Sequence, residues 1–373
     1  MDVAIVGAGI VGLAHAWCAA ERGHRVRVFE RSRRACGASV RNFGMVWLIG
    51  QPPGEALALG FRSRERWLRL AAESGIWVNP CGSMLLAHRD DEAQVLCEFA
   101  ERAPELGYEC RWVGPAEIAL RSPAVNRDGL RGGLLSATEL GLNPPRAIRT
   151  LPLWLAKRFG VDFEFGTTIS SVEDRRVRSS DDREWSFDRL VICGGADMET
   201  LFPEQLAASG ARLCKLQMLR TRPQAPGWRI GPHLASGLSL RHYRSFEGCQ
   251  GLPALKSRVA LESPELDRFG IHVMASQDDE GRVILGDSHE HDVEIDPFDK
   301  AEIDELILRE LRKIIDLPDW SIDARWHGVY ARLSEGTMIE AEPLPWVFLR
   351  TGTGGNGMTL AFGLAERDWQ RWG

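Results

Sequence analysis

Nowhere does this sequence come near the roughly eighteen consecutive uncharged apolar residues that a membrane-crossing helix needs, so no segment is read as a span. Its eight cysteines (18, 36, 81, 97, 110, 193, 214 and 249) form no C-x-x-C pair and no Cys/His group at metal spacing. Reduced thiols, a cytoplasmic setting and no bound metal are the expectation. Positive charge is not in excess either: the formal net charge is -6, which excludes broad electrostatic attraction to nucleic acid or an acidic membrane. Small anionic ligands stay open, because a pocket needs only a few local cations. No basic, apolar leader of the signal-peptide kind precedes the first strand-like residues, and there is no internal repeat or low-complexity segment. No Ser-His-Asp or metal-ligand spacing points to hydrolysis.

What is present is concentrated at the start. Val3-Ala-Ile-Val6 reads as a short buried strand that runs into Gly7-x-Gly9-x-x-Gly12, then a helical run from Val11 to Arg22 and a second strand, Arg25-Val-Arg-Val-Phe29, ending at Glu30. This is the order a dinucleotide site requires. The first glycine makes the tight turn, the second lets backbone approach a pyrophosphate, and the third lets helix pack on strand. The helix N-terminus offers unpaired N–H groups to the phosphates, and Glu30 lies where an acidic side chain takes the hydroxyls of an adenosine ribose. The competing reading is a glycine-rich turn in an unrelated α/β protein, against which all four context elements count.

A chain of 373 residues suits two domains, yet no linker separates them; the signals alternate instead. Helical patterns run over Ala56 to Glu73, Asp90 to Arg102, Arg146 to Phe159 and Lys300 to Ile315. Strands are predicted at Val161–Phe165, Thr168–Val172, Arg189–Cys193 and Val347–Arg350, and the stretch from Cys214 to Leu285 reads as aromatic and β-like, including Gly270–Ala275. Thr351-Gly-Thr-Gly-Gly-Asn-Gly357 closes the chain before an apolar helix from Met358 to Glu366.

Gly7, Gly9, Gly12 and Glu30, the loop Gly37-Ala-Ser-Val-Arg-Asn-Phe-Gly44, the strand end Val191-Ile-Cys-Gly-Gly-Ala196 and the closing glycine loop together resemble the D-amino-acid oxidase superfamily, to which glycine oxidase and sarcosine oxidase belong. The motifs follow the family's order over almost the whole chain. The resemblance implies an α/β protein: a doubly wound Rossmann-like FAD domain joined to a mostly antiparallel β-sheet substrate domain, with the chain crossing between them. It assigns 1–85, 146–215 and 320–373 to FAD, and 86–145 and 216–319 to substrate. FAD contacts are expected from Gly7, Gly9, Ile10, Val11, Gly12, Glu30 and Arg31, from Ser39, Arg41, Asn42 and Gly44 in the loop, and from Val172, Gly194 and Gly195. At the end of the chain Gly355, Asn356, Gly357, Met358 and Thr359 are expected to present a helix N-terminus to the flavin.

Two departures qualify the resemblance. Sarcosine oxidases bond flavin through a cysteine in the stretch matching Trp326–Glu335, where this sequence has none, so FAD is expected to be noncovalent. Glycine oxidase clamps its substrate carboxylate with an arginine where this sequence has Tyr330, with Arg332 two residues on. Further segments, among them Gly237-Leu-Ser-Leu-Arg-His-Tyr243 and Gly286-Asp-Ser-His-Glu290, are similar to bacterial FAD-dependent oxidoreductases associated with aminophosphonate breakdown. That similarity implies oxidation of the C–N bond of a 2-aminoethylphosphonate-like amine, with dioxygen or a quinone taking the electrons. Arg241, His242, Tyr243, His272, His289, His327, Tyr330 and Arg332 are the candidates for the substrate pocket, the mixture of guanidinium forks and neutral donors that a dianion requires. For any one of them the plainer reading is a solvated side chain or a structural ion pair. FAD-dependent oxidation of an amino acid or 2-hydroxy acid, a nicotinamide-only dehydrogenase and a noncatalytic flavin-binding subunit remain the alternatives.

Overall fold

The computed structural model describes residues 1–373. Strand β1 (Asp2–Val6) buries Val3, Ala4 and Ile5, helix α1 (Ile10–Glu21) follows, and β2 (Arg25–Glu30) runs parallel to β1 with Val6 opposite Phe29. Pairing extends both ways into a six-stranded sheet ordered Ile339–Leu344, Val347–Thr351, Arg189–Ile192, β1, β2, Asp162–Phe165. All neighbours are parallel except the edge hairpin Ile339–Leu344 with Val347–Thr351. Strands covered on both faces read as continuous apolar runs, as Val3-Ala-Ile5 and Leu190-Val-Ile192 do. α1 is buried on nearly every side, which explains its lack of a polar face: it packs on the closing helix Gly357–Arg371 and on Pro144–Phe159. The turn into α1 demands glycine. Gly7 has φ +102°, and a Cβ on Gly12 would lie 1.9 Å from the Gly7 carbonyl oxygen.

The larger sheet has nine strands, ordered Glu290–Asp292, Arg212–Pro223, Arg282–Gly286, Met274–Gln277, His233–Ser236, Ser83–Ala87, Gly132–Ser136, Cys110–Val113, with Ile322–Arg332 paired along Arg212–Pro223. It is antiparallel apart from His233–Ser236 against Ser83–Ala87. The expected segment boundaries shift accordingly. Ser83–Ala87 straddles the boundary drawn at 85, Arg212–Pro223 the one at 215, and Ile322–Arg332, assigned beforehand to the FAD side, belongs to this sheet. The reason is register: ten residues of that strand pair antiparallel with Arg212–Thr221, a contact between segments a hundred residues apart that no local pattern announces.

Two local expectations also change. The stretch from Cys214 to Leu285 is not wholly extended: it holds helices Leu252–Glu262 and Pro264–Arg268 and the short turns Gly237–Arg241 and Arg244–Phe246. Leu252, Leu255 and Val259 are buried at helical spacing, but Lys256 and Arg258 between them blur the stripe. The strand predicted over Gly270–Ala275 starts only at Met274, because Gly270, at φ +56°, turns the chain. No helix is long and apolar enough to cross a membrane.

Candidate active site

Both sheets turn their ends toward one cavity of about 990 Å³, large enough for a dinucleotide and a small substrate together. At one end it is walled by backbone. Gly7, Gly9, Ile10, Val11 and Gly12 line it, and the Ile10 N–H donates to Ser39 Oγ at 2.9 Å. α1 has no acidic residue in its first turn, so beyond the Ser39 hydroxyl its positive end faces the cavity. The Glu30 carboxylate is anchored by the N–H groups of Ala8 and Ser32, each at 3.0 Å, with lone pairs left over for a ligand. Gly194, Gly195 and Arg31 line the same end, Arg31 paired with Asp197 at 3.0 Å. Across the cavity, Gly355, Asn356, Gly357, Met358 and Thr359 carry the closing loop into its helix. Asn356 accepts from Gln51 Nε2 at 3.0 Å, Thr359 Oγ1 accepts from the Trp47 N–H at 2.9 Å, and the Met358 carbonyl accepts from Trp67 Nε1 at 2.8 Å. These bonds hold the loop from behind and leave the first N–H groups of that helix without side-chain caps.

The other end is walled by side chains from the larger sheet. His242, His272 and His289 bring ring nitrogens within 4.8 Å of one another. Their rings stack nearly parallel, His242 on His272 at 4.2 Å and 28°, His272 on His289 at 5.1 Å and 17°. In-plane lone pairs of parallel rings run side by side, whereas metal ligation needs them to converge. Burial holds all three well on the neutral side: it is the main cause for His242 and His272 and brings His289 down to about 4. Asp287 sits among them, its carboxyl raised well above the usual range by burial. Tyr243 Oη donates to Met274 Sδ at 3.0 Å. Tyr330 stands at the junction of the two ends, 3.6 Å from where a Cβ on Gly355 would be.

Six arginines line the cavity, and four are neutralised: Arg31 by Asp197, Arg241 by Asp267, Arg244 by Glu335, and Arg350 by Asp368. Arg41 donates only to the His327 carbonyl, at 3.3 Å. Arg332 has no carboxylate partner, and after burial its charge helps to keep His242, His289 and His291 neutral.

Several expected site residues take other positions. Arg241 spends its guanidinium on Asp267 and on the carbonyls of Leu238 and Ile271, so it supports the wall and offers no free fork. His327 does not line the cavity; its Nδ1 bonds Asp299 at 2.8 Å on the other side of the strand. Val172 is three residues too far along: Thr167, Thr168 and Ile169 reach the cavity, while Val172 pairs with Val177 in a three-stranded sheet. Gly44 also lies off the cavity, in a turn where its N–H meets Asn42 Oδ1 at 2.8 Å, and Asn42 Nδ2 goes to the carbonyls of Ala38 and Ser39. Asn42 thus shapes the loop from inside. Sequence reasoning passed over Asp287, whose signal was its place between Gly286 and Ser288-His289 at a predicted strand end, and over Trp47, Gln51 and Met274.

A family model described as FAD dependent oxidoreductase matches residues 2–367. The chain belongs to this family. Its cofactor is FAD, and it is an oxidoreductase. Over 205 residues the flavoprotein is 25% identical to glycine oxidase from Geobacillus kaustophilus, covering 52% of this chain and 54% of that protein. Over 203 residues it is 24% identical to L-2-hydroxyglutarate dehydrogenase from Escherichia coli K12, covering 52% of this chain and 47% of that one. The match thus spans about half the length of these curated relatives. Among solved structures, glycine oxidase from Bacillus cereus superposes with a TM-score of 0.78 at 18% identity, over 99% of this chain and 94% of that one, which establishes the shared fold.

Proposed function

We propose that this flavoprotein oxidises the C–N bond of a small primary or secondary amine bearing an anionic group, best an aminophosphonate of the 2-aminoethylphosphonate type. The observation that carries the reading is Arg332: a cavity arginine without a carboxylate partner, set beside His242, His289 and Tyr330. A doubly charged phosphonate suits one guanidinium and several neutral donors, and four of the six cavity arginines have no charge to spare.

FAD would be held without a covalent bond by the glycine turn, Glu30, Ser39, Arg41, Gly194, Gly195 and the loop Gly355–Thr359. When bound, it accepts the hydride of the carbon next to the amine. The protein's own share is to seat the anionic group against Arg332, to turn the C–H toward the flavin, and to admit water that hydrolyses the imine to a carbonyl compound and an amine. Dioxygen or a quinone then takes the electrons. Eight cysteines without a disulfide agree with a cytoplasmic setting.

A second reading, oxidation of a 2-hydroxy acid, is favoured by the imidazole cluster beside Arg332, since a hydroxyl needs a base. Anaerobic mixing with a panel of amines and hydroxy acids separates the two. Fastest bleaching of the flavin by N-methyl-2-aminoethylphosphonate supports the first reading; fastest bleaching by a 2-hydroxy acid replaces it with the second.

A further inference from the structure

Asp287 follows the strand Arg282–Gly286, and its backbone pairs with His272 in both directions, N–H to carbonyl at 2.9 and 3.4 Å. The carboxylate sits between two imidazoles: Oδ1 is 3.3 Å from His272 Nε2, and Oδ2 is 3.9 Å from His289 Nε2. At His289 the far nitrogen fixes the tautomer. His289 Nδ1 lies 3.2 Å from the Gly270 carbonyl oxygen, which can only accept, so Nδ1 carries the hydrogen and Nε2 is bare. His272 Nδ1 lies 3.1 Å from Ser239 Oγ, a hydroxyl that can donate or accept, so only His289 has its tautomer set by a partner that must accept.

A lone pair of His289 thus faces the carboxylate, and Asp287 Oδ1 makes no well-formed hydrogen bond. An ionised carboxylate facing a bare imidazole nitrogen in a buried site is costly, so the group gains when a proton arrives from outside and is shared between them. The surroundings add little to compete for it. Arg241 and His242 approach from the turn below, Tyr243 from the segment after it, Cys214, Tyr330 and Arg332 from the paired long strands, and His291 from the edge strand. Of these only Arg241 and Arg332 carry charge at neutral pH, and Arg241 is matched by Asp267.

We propose that Asp287, His272 and His289 form a proton store facing the substrate end, which takes the proton that an ammonium substrate must lose before its neighbouring C–H is oxidised. This rests on the amine reading above. In the step, one N–H bond of the ammonium breaks, the electron pair stays on nitrogen, and the proton lands on the carboxylate–imidazole group. It leaves to water before the next turnover, so the store is neither consumed nor oxidised.

Anaerobic stopped-flow with holoenzyme, using whichever amine bleaches the flavin fastest, tests this through Asp287→Asn. The variant should reduce its flavin on the order of 100-fold more slowly at neutral pH. Its rate should climb toward wild type as pH rises through the substrate's own ammonium pKa, because the amine then arrives without the proton. A variant that matches wild type at every pH, or is slower by the same factor at every pH, overturns the proposal; the second pattern is what structural damage would give. An independent readout needs no substrate: ¹⁵N-histidine NMR of the holoenzyme at neutral pH should show His289 with Nδ1–H and a bare Nε2. An Nε2–H tautomer at His289 refutes the store even where an amine is oxidised. Failure of every amine to bleach the flavin sinks the amine reading alone, and the His289 tautomer still decides the store.

Discussion

The two ends of the cavity are made of different material. The dinucleotide end is backbone: a glycine turn, two helix N-termini and one carboxylate held by the N–H groups of Ala8 and Ser32. The substrate end is side chain: three stacked imidazoles, a buried carboxylate, two tyrosines and an arginine, drawn from segments between residues 242 and 332. Backbone sites are specified by where glycine must stand, and so are written locally. Side-chain sites come from strand pairing, which gathers residues far apart in the chain.

The contrast predicts which changes are severe. Gly12→Ala should have the largest effect: with its Cβ 1.9 Å from the Gly7 oxygen, helix and strand must part. The expected result is colourless protein, at least about a hundredfold weaker in FAD binding by flavin fluorescence. Retention of stoichiometric FAD would break the comparison at its firmest point. Next come two side-chain losses that should affect opposite ends. Arg332→Ala should raise KM for an aminophosphonate about 10- to 100-fold and leave FAD content unchanged, since a charge-assisted contact contributes about 1.5–3 kcal/mol. Glu30→Ala should weaken FAD by a similar factor and leave the order of substrate preference intact. Equal shifts in both readouts for either variant would erase the division between the ends.

The same contrast explains what could be read in advance. Gly7, Gly9, Gly12, Glu30 and the loop ending at Thr359 reach the cavity where the motifs placed them. Arg241 and His327 have the chemistry of an anion site, but chemistry does not show direction: one turns to Asp267 and the other to Asp299. Adjacent residues on a strand face opposite sides, so His327 and Gly328 separate although the sequence joins them. Asp287 was missed because an aspartate beside glycine and serine has the look of a solvated turn, and only the sheet around it makes it buried.

Smaller effects sharpen the point. Arg241→Ala should cost stability, about 1–3 kcal/mol by chemical denaturation, because it unpairs Asp267 and two carbonyls. Its KM should move far less than that of Arg332→Ala, and a larger KM effect would return Arg241 to the substrate. His327→Ala should change KM by less than about twofold, as expected for a half-exposed histidine outside the cavity whose pairing with Asp299 contributes about 1 kcal/mol or less.

The most direct test of the whole account is anaerobic bleaching of the bound flavin by N-methyl-2-aminoethylphosphonate, sarcosine and D-alanine, in wild type and in Arg332→Ala. The account predicts that the phosphonate is the best reductant of the wild-type enzyme by kcat/KM and that removing Arg332 abolishes this advantage. Sarcosine or D-alanine outperforming the phosphonate in wild type, or a phosphonate advantage that survives the loss of Arg332, would contradict it.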